Sequence, residues 1–118
     1  MLSWPRAVRV FVHTGPTDMR RGFDRLACLA QEVLHQDPLS GHLFVFVNRR
    51  GDRMKILFWD RSGYVLFYKR LEKGVFHLPP PEAGSVEIDV PRLTLILEGL
   101  DLAGAKQQKR FAPRETGA

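Results

Sequence analysis

The apolar positions of this chain change period several times, and each change marks an element. Ala7 to His13 sets Val8, Val10 and Val12 against Arg9, Phe11 and His13, the alternation of a half-buried strand. Thr14-Gly15-Pro16 is expected to end it, since Gly and Pro together break extended pairing. From Met19 to Leu34 the spacing turns helical, with Phe23, Leu26, Ala27, Ala30, Val33 and Leu34 on one stripe. Thr17 or Asp18 is placed to cap that helix. Gly22, inside its first turns, weakens it by about 1 kcal/mol relative to Ala, which hints at a close backbone approach.

After the loop Asp37-Pro38-Leu39-Ser40-Gly41, three strands are predicted in a row, over about 42–48, 54–59 and 64–71. Their connectors, Arg49-Arg50-Gly51-Asp52 and Asp60-Arg61-Ser62-Gly63, are short and rich in turn residues, so the strands read as antiparallel hairpins. The first has apolar side chains on both faces (Leu43, Val45 and Val47 against Phe44 and Phe46). It therefore belongs at the centre, covered on both sides or at a dimer contact. Residues 71–78 extend the meander by a further short strand, and Pro79-Pro80-Pro81 stops regular structure.

Ser85 to Val90 alternates again as a last strand. A second helix follows over 91–98, with Asp89 as cap, Pro91 in the first turn and Gly99 at the stop. The resulting fold class is α+β: an antiparallel meander sheet with one long and one short helix packed on one face. One domain is expected over residues 1–103. Residues 104–118, with Lys106, Lys109, Arg110 and Arg114 against Glu115, read as a disordered basic tail.

Composition narrows the class. A chain of 118 residues with 44% hydrophobic and 26% charged residues is an ordinary globular domain. No apolar run nears the roughly 18 residues of a membrane helix, and the N-terminus lacks the features of a secretory signal. The single cysteine, Cys28, makes no internal disulfide and fits a cytoplasmic location.

Charge then singles out the meander. Between Gly41 and Gly74 stand Arg49, Arg50, Arg53, Lys55, Arg61, Lys69, Arg70 and Lys73 against Asp52, Asp60 and Glu72. That excess of five equals the formal charge of the whole molecule, +5. Aromatic residues are threaded through the same stretch, as on surfaces that stack bases, although many of them must build the core. Cationic hairpins also discourage edge-to-edge aggregation, which is the competing explanation. On the binding reading, Arg49, Arg50, Arg53, Lys55, Lys69 and Arg70 contact phosphates, joined by Arg20 and Arg21, which stand against the helix dipole.

Chemistry is sparser. His13, His35, His42 and His77 sit in separate elements, so neither a metal site nor a cofactor is expected. Asp24, Cys28, Gln31 and His35 share one side of the first helix, as a solvated polar face does. Asp18, Asp52 and Asp60 are the acids through which a metal-dependent nuclease would work, yet each has a ready role as cap or turn residue. No catalytic residue is assigned.

Three stretches resemble a known family: TGPTDMRRGFDRLACLAQEVL (14–34), DPLSGHLFVFVNRRGDRMKILFWDRSGYVLFYKRLEKGVF (37–76) and LILEGLDL (95–102). They are similar to the TnpB-type accessory proteins of insertion sequences of the IS sixty-six type, the second-open-reading-frame-like family. Those are unrelated to the RNA-guided nucleases that share the TnpB label. Closest are Thr17-Asp18-Met19-Arg20, Gly22-Phe23-Asp24, Asn48-Arg49-Arg50-Gly51-Asp52, Trp59-Asp60 and Lys69-Arg70-Leu71-Glu72. The resemblance implies a non-enzymatic helper in DNA transposition, made beside a separate DDE-type transposase. Its implied partners are insertion-sequence end DNA, the transposase, or both, with no membrane; a homo-oligomer stays open. The alternative of another class is a pure interaction module that touches only the transposase or itself.

Overall fold

The computed structural model describes residues 8–80, 84–101 and 106–107. Strand β1 (Val10–Pro16) leads into helix α1 (Phe23–Glu32). Strands β2 (Leu43–Val47), β3 (Arg53–Asp60) and β4 (Gly63–Arg70) follow, then β5 (Ser85–Ile88) and helix α2 (Val90–Leu97). A two-residue ribbon pairs β6 (Leu100–Asp101) with β7 (Lys106–Gln107). The main sheet runs β4-β3-β2-β1-β5, which makes β2 the central strand its two apolar faces predict. Of the expected tail, only the two residues of β7 lie within the described set. Ala7, at the start of the first predicted strand, lies outside it.

The α+β class and the β2-β3-β4 meander are as read from the sequence, and the sheet is mixed. Strand β1 pairs with β2 in parallel, Val10 opposite Leu43 and Val12 opposite Val45, and with β5 antiparallel. Parallel neighbours need a crossover connection, and α1 supplies it.

That crossover corrects the expectation that both helices pack on one face. Leu26, Ala27, Ala30 and Leu34 pack on Phe11, Phe44, Phe46 and Leu57. Leu93 and Ile96 of α2 pack on Val10, Val12, Leu43, Val45, Ile56 and Phe58, with Phe76 and Ile88 in the same cluster. Odd and even positions of a strand point to opposite faces, so the two helices cover opposite sides of the sheet. The α1 side is largely aromatic and the α2 side largely aliphatic. Phe44 and Phe46 are fully buried, and truncating either to Ala costs about 3–5 kcal/mol.

Four local expectations change. β1 runs on to Pro16, although its register with β2 becomes irregular after His13. Helix α1 starts at Phe23 with Gly22 as its N-cap and no side-chain cap bond. Thr17 and Asp18 lie five and four residues upstream of that cap, so neither reaches the free N–H groups. A glycine at the cap costs little there, and a Cβ on Gly22 would meet open space, so no close approach explains it. His35 lies beyond the helix at φ 56°, off the polar face assigned to it. Residues 71–80 form no strand; they cross behind the β2–β3 turn and bury Phe76. At α2, by contrast, Asp89 accepts from the Arg92 N–H at 2.9 Å and Pro91 lies in the first turn, as expected.

Candidate nucleic-acid interface

Two sequence-distant loops meet at one end of the sheet. Parallel β1 and β2 release their chains on the same side, β1 into residues 17–22 and β2 into the turn 48–52. The Thr17 N–H donates to the Val47 carbonyl at 2.8 Å, joining the two exits, and Thr17 is buried. Between the loops lies a shallow groove of about 420 Å³, lined by Thr17, Asp18, Met19, Asn48, Arg49, Arg50, Asp52 and Arg53. The carboxyl ends of parallel strands at a crossover are where open α/β sheets collect ligands.

Asn48 organises the turn. Its N–H donates to the Arg53 carbonyl at 3.1 Å, and its side-chain Oδ1 accepts from the Arg53 N–H at 3.0 Å. Its Nδ2 donates to Asp52 Oδ1 at 2.7 Å. That bond, with help from Arg50 and Arg53, holds the Asp52 carboxyl below its ordinary pKa. Gly51 has φ +78°, and a Cβ there would stand 3.3 Å from Val75 Cβ, so the position requires glycine. From behind, Phe76 N–H donates to Gly51 O and Leu71 N–H to Asp52 O, both at 2.8 Å. A turn tied at this many points presents the exposed Arg49 and Arg50 from a fixed backbone.

The expected phosphate ligands fall into distinct groups. Lys55, which sequence reading placed among them, is buried. Its Nζ donates to the Met19 carbonyl at 2.6 Å and the Arg21 carbonyl at 2.9 Å, and lies 4.8 Å from the centre of the Tyr68 ring. It ties the 19–21 loop to the sheet. Lys69 points to the opposite face, where its Nζ donates to the Leu97 carbonyl at 2.7 Å, at the C-terminal end of α2. Arg70 pairs with Glu72 at 2.8 Å, and Arg53 donates to the Tyr68 hydroxyl at 3.1 Å.

Arg20 binds Asp18 through Nη2 at 2.7 Å and through Nε, and its own N–H also donates to Asp18. These bonds hold the Asp18 carboxyl at about 2, against an ordinary 3.8. Arg21 is half-buried and close enough to His13 to join burial in lowering the imidazole pKa. Arg49, Arg50 and Arg53 line the groove, with Asp18 and Met19, which lead into Arg20 and Arg21, on its other side. Lys55, Lys69 and Arg70 are not among its lining residues.

The acids do not gather. Asp18 and Asp52 both line the groove but each is held by its own partner, while Asp60 ends β3 at the far side of the sheet. An eight-residue strand separates Asp52 from Asp60, roughly 26 Å. Among the described residues no three His, Cys, Asp or Glu stand together as metal ligands do.

The loops that meet at the groove, Thr17-Asp18-Met19-Arg20 and Asn48-Arg49-Arg50-Gly51-Asp52, are two of the stretches that carried the family resemblance. The family model for the IS66 Orf2-like protein, TnpB_IS66, matches residues 8–107. The chain belongs to this family. It is a family of transposition-associated accessory proteins, not of known enzymes. Two similar proteins come from Sinorhizobium fredii (strain NBRC 101917 / NGR234). Uncharacterized protein y4hO is 46% identical over 117 residues, covering 99% of this chain and 100% of the relative. Uncharacterized protein y4jC is 37% identical over 108 residues, 92% of each. No solved structure matches. No helix among the described residues is long and apolar enough to cross a membrane.

Proposed function

We propose that this IS66 Orf2-like protein is a non-catalytic, cytoplasmic accessory factor for DNA transposition of an insertion sequence. It contacts the element-end DNA, with the cognate DDE-type transposase as second partner, through the basic end of its sheet. The observation that carries the reading is the open groove lined by exposed Arg49 and Arg50 with Arg53 on one side and by Thr17, Asp18 and Met19, the residues leading into Arg20-Arg21, on the other. Arginines on a braced turn meet phosphate oxygens at little cost in ordering. Asp18 and Asp52 are already engaged and lie far from Asp60, which supports binding over metal-dependent cleavage.

The test is duplex DNA of the element end, titrated by fluorescence anisotropy across a salt series without transposase. Affinity should fall steeply with salt, each neutralised phosphate adding about −0.9 to the log–log slope. Arg49→Glu with Arg50→Glu should abolish binding while circular dichroism stays native. Unchanged affinity of the folded double variant would sink the assignment. Binding that appears only once transposase is added assigns the basic end to that protein instead.

A further inference from the structure

The two edges of the sheet are finished differently. β5 is four residues long, with Glu87 in mid-strand and ion-paired to Arg9 at 2.7 Å. β4 is eight residues long, and from Gly63 to Tyr68 it carries no charge and no proline. Natural edges are blunted by shortness, charge, proline, bulges or a covering segment. Among the described residues β4 has none of these over its first six positions, and no strand pairs with its outer side.

The register shows which backbone groups face outward. Leu71 N–H donates to Asp52 O, which extends the β3–β4 pairing of Arg53 with Arg70 by one step. Hydrogen-bonded and non-bonded pairs alternate along an antiparallel ladder. Lys69, Phe67, Val65 and Gly63 therefore bond to β3, while Tyr64, Leu66, Tyr68 and Arg70 turn their N–H and C=O groups away from it. Beside this edge, on the α2 face, lies an apolar groove of about 240 Å³ whose walls include Val65, Phe67, Leu93 and Leu97. Phe67 is 44% exposed at its mouth.

We propose that β4 pairs with β4 of a second copy, antiparallel about a two-fold axis at Leu66, to make a ten-stranded dimer sheet. The strand is self-complementary in that register. Leu66 meets the partner's Leu66, Val65 meets the partner's Phe67, and Tyr64 meets the partner's Tyr68. The two aromatic–apolar pairings per strand are of the kind that stabilise sheets. The cations sit only at one end, so antiparallel pairing sets Lys69 opposite the partner's Gly63 and keeps like charges apart; a parallel neighbour copy would line them up. A two-fold axis normal to the sheet keeps both α2 helices on one face, where each Phe67 covers the groove of the other copy. The two β2–β3 turns then lie at opposite ends of the dimer, roughly 40 Å apart by strand rise and spacing.

The test uses the full chain in two measurements. Sedimentation equilibrium from low to high micromolar concentration should show a monomer–dimer equilibrium, and Phe67→Lys should shift it to monomer with native circular dichroism. Amide exchange of the unaltered chain should show Leu66 and Tyr68 gaining protection as concentration rises. Three results overturn the proposal: monomer at every concentration, a dimer that persists undiminished in Phe67→Lys, or β4 amides whose exchange ignores concentration. The last would apply equally if a transposase strand or another segment of the same chain occupied the edge.

Discussion

The cations of the meander look alike in sequence and differ in what they hold. Lys55 and Lys69 each spend the ammonium on main-chain carbonyls, Lys55 beneath the 19–21 loop and Lys69 at the end of α2. Arg49 and Arg50 stand exposed on a turn whose backbone is tied by Asn48 and Gly51 rather than by their own side chains. One set builds the surface and the other is displayed by it. A count of positive charge cannot tell them apart, because the difference lies in whether a strand position faces a helix or ends a strand.

The sharpest way to break the comparison is Lys55→Met. It keeps much of the stem but strips two carbonyls, Met19 O and Arg21 O, of their charged donor in a buried setting. A loss of about 3 kcal/mol is expected in denaturant melts, and with it the 17–22 loop should detach from the groove. Lys69→Met should cost less, about 1 kcal/mol, since Lys69 is only half-buried and water can reach the Leu97 carbonyl in its place. If the two substitutions cost the same, burial is not what separates them. Arg49→Ala with Arg50→Ala completes the series. Stability should stay within about 0.5 kcal/mol, while the salt slope of DNA binding should lose about two phosphates' worth. A destabilised double variant would move these arginines into the structural set.

How far this division could be read beforehand depends on the position. β2 was legible as the central strand because both of its faces are apolar, and α2 because Asp89, Pro91 and Gly99 punctuate it. The same two-faced β2 also implied a helix on each side of the sheet. That strand was expected to be covered on both sides or at a dimer contact, yet both helices were placed on one face. The parallel β1–β2 pair is set by the crossover through α1, a tertiary choice that no local turn signal reports. Lys55 did carry a signal: it shares with Leu57 the face that α1 covers, a cation in mid-strand at a core-facing position. Reading it as one more cation in a basic run missed that register. The groove itself was visible only as two resembling stretches about 30 residues apart, Thr17-Asp18-Met19-Arg20 and Asn48-Arg49-Arg50-Gly51-Asp52. What joins them is the Thr17–Val47 hydrogen bond, which depends on the strand order.

Arg20 is the cation that sits between the two sets, and it gives the smallest effect. It is exposed like Arg49, yet it is bound through its guanidinium to Asp18. The Asp18 carboxyl has its folded pKa lowered to about 2 by that bond, from an ordinary 3.8. A lowered carboxyl pKa favours the folded state above the unfolded value and ceases to do so as pH falls through the folded one. The contribution of the pair is therefore whole above pH about 4 and fades between about 4 and about 2. Solvent screening keeps the change in overall stability slight, so the readout is the carboxyl carbon of Asp18 in an NMR titration. Arg20→Ala should move that titration up towards its ordinary range, and wild type in high salt should move it part of the way. If neither shifts it, Asp18 and Arg20 do not pair in solution, and Arg20 joins Arg49 and Arg50 as a cation with no internal duty.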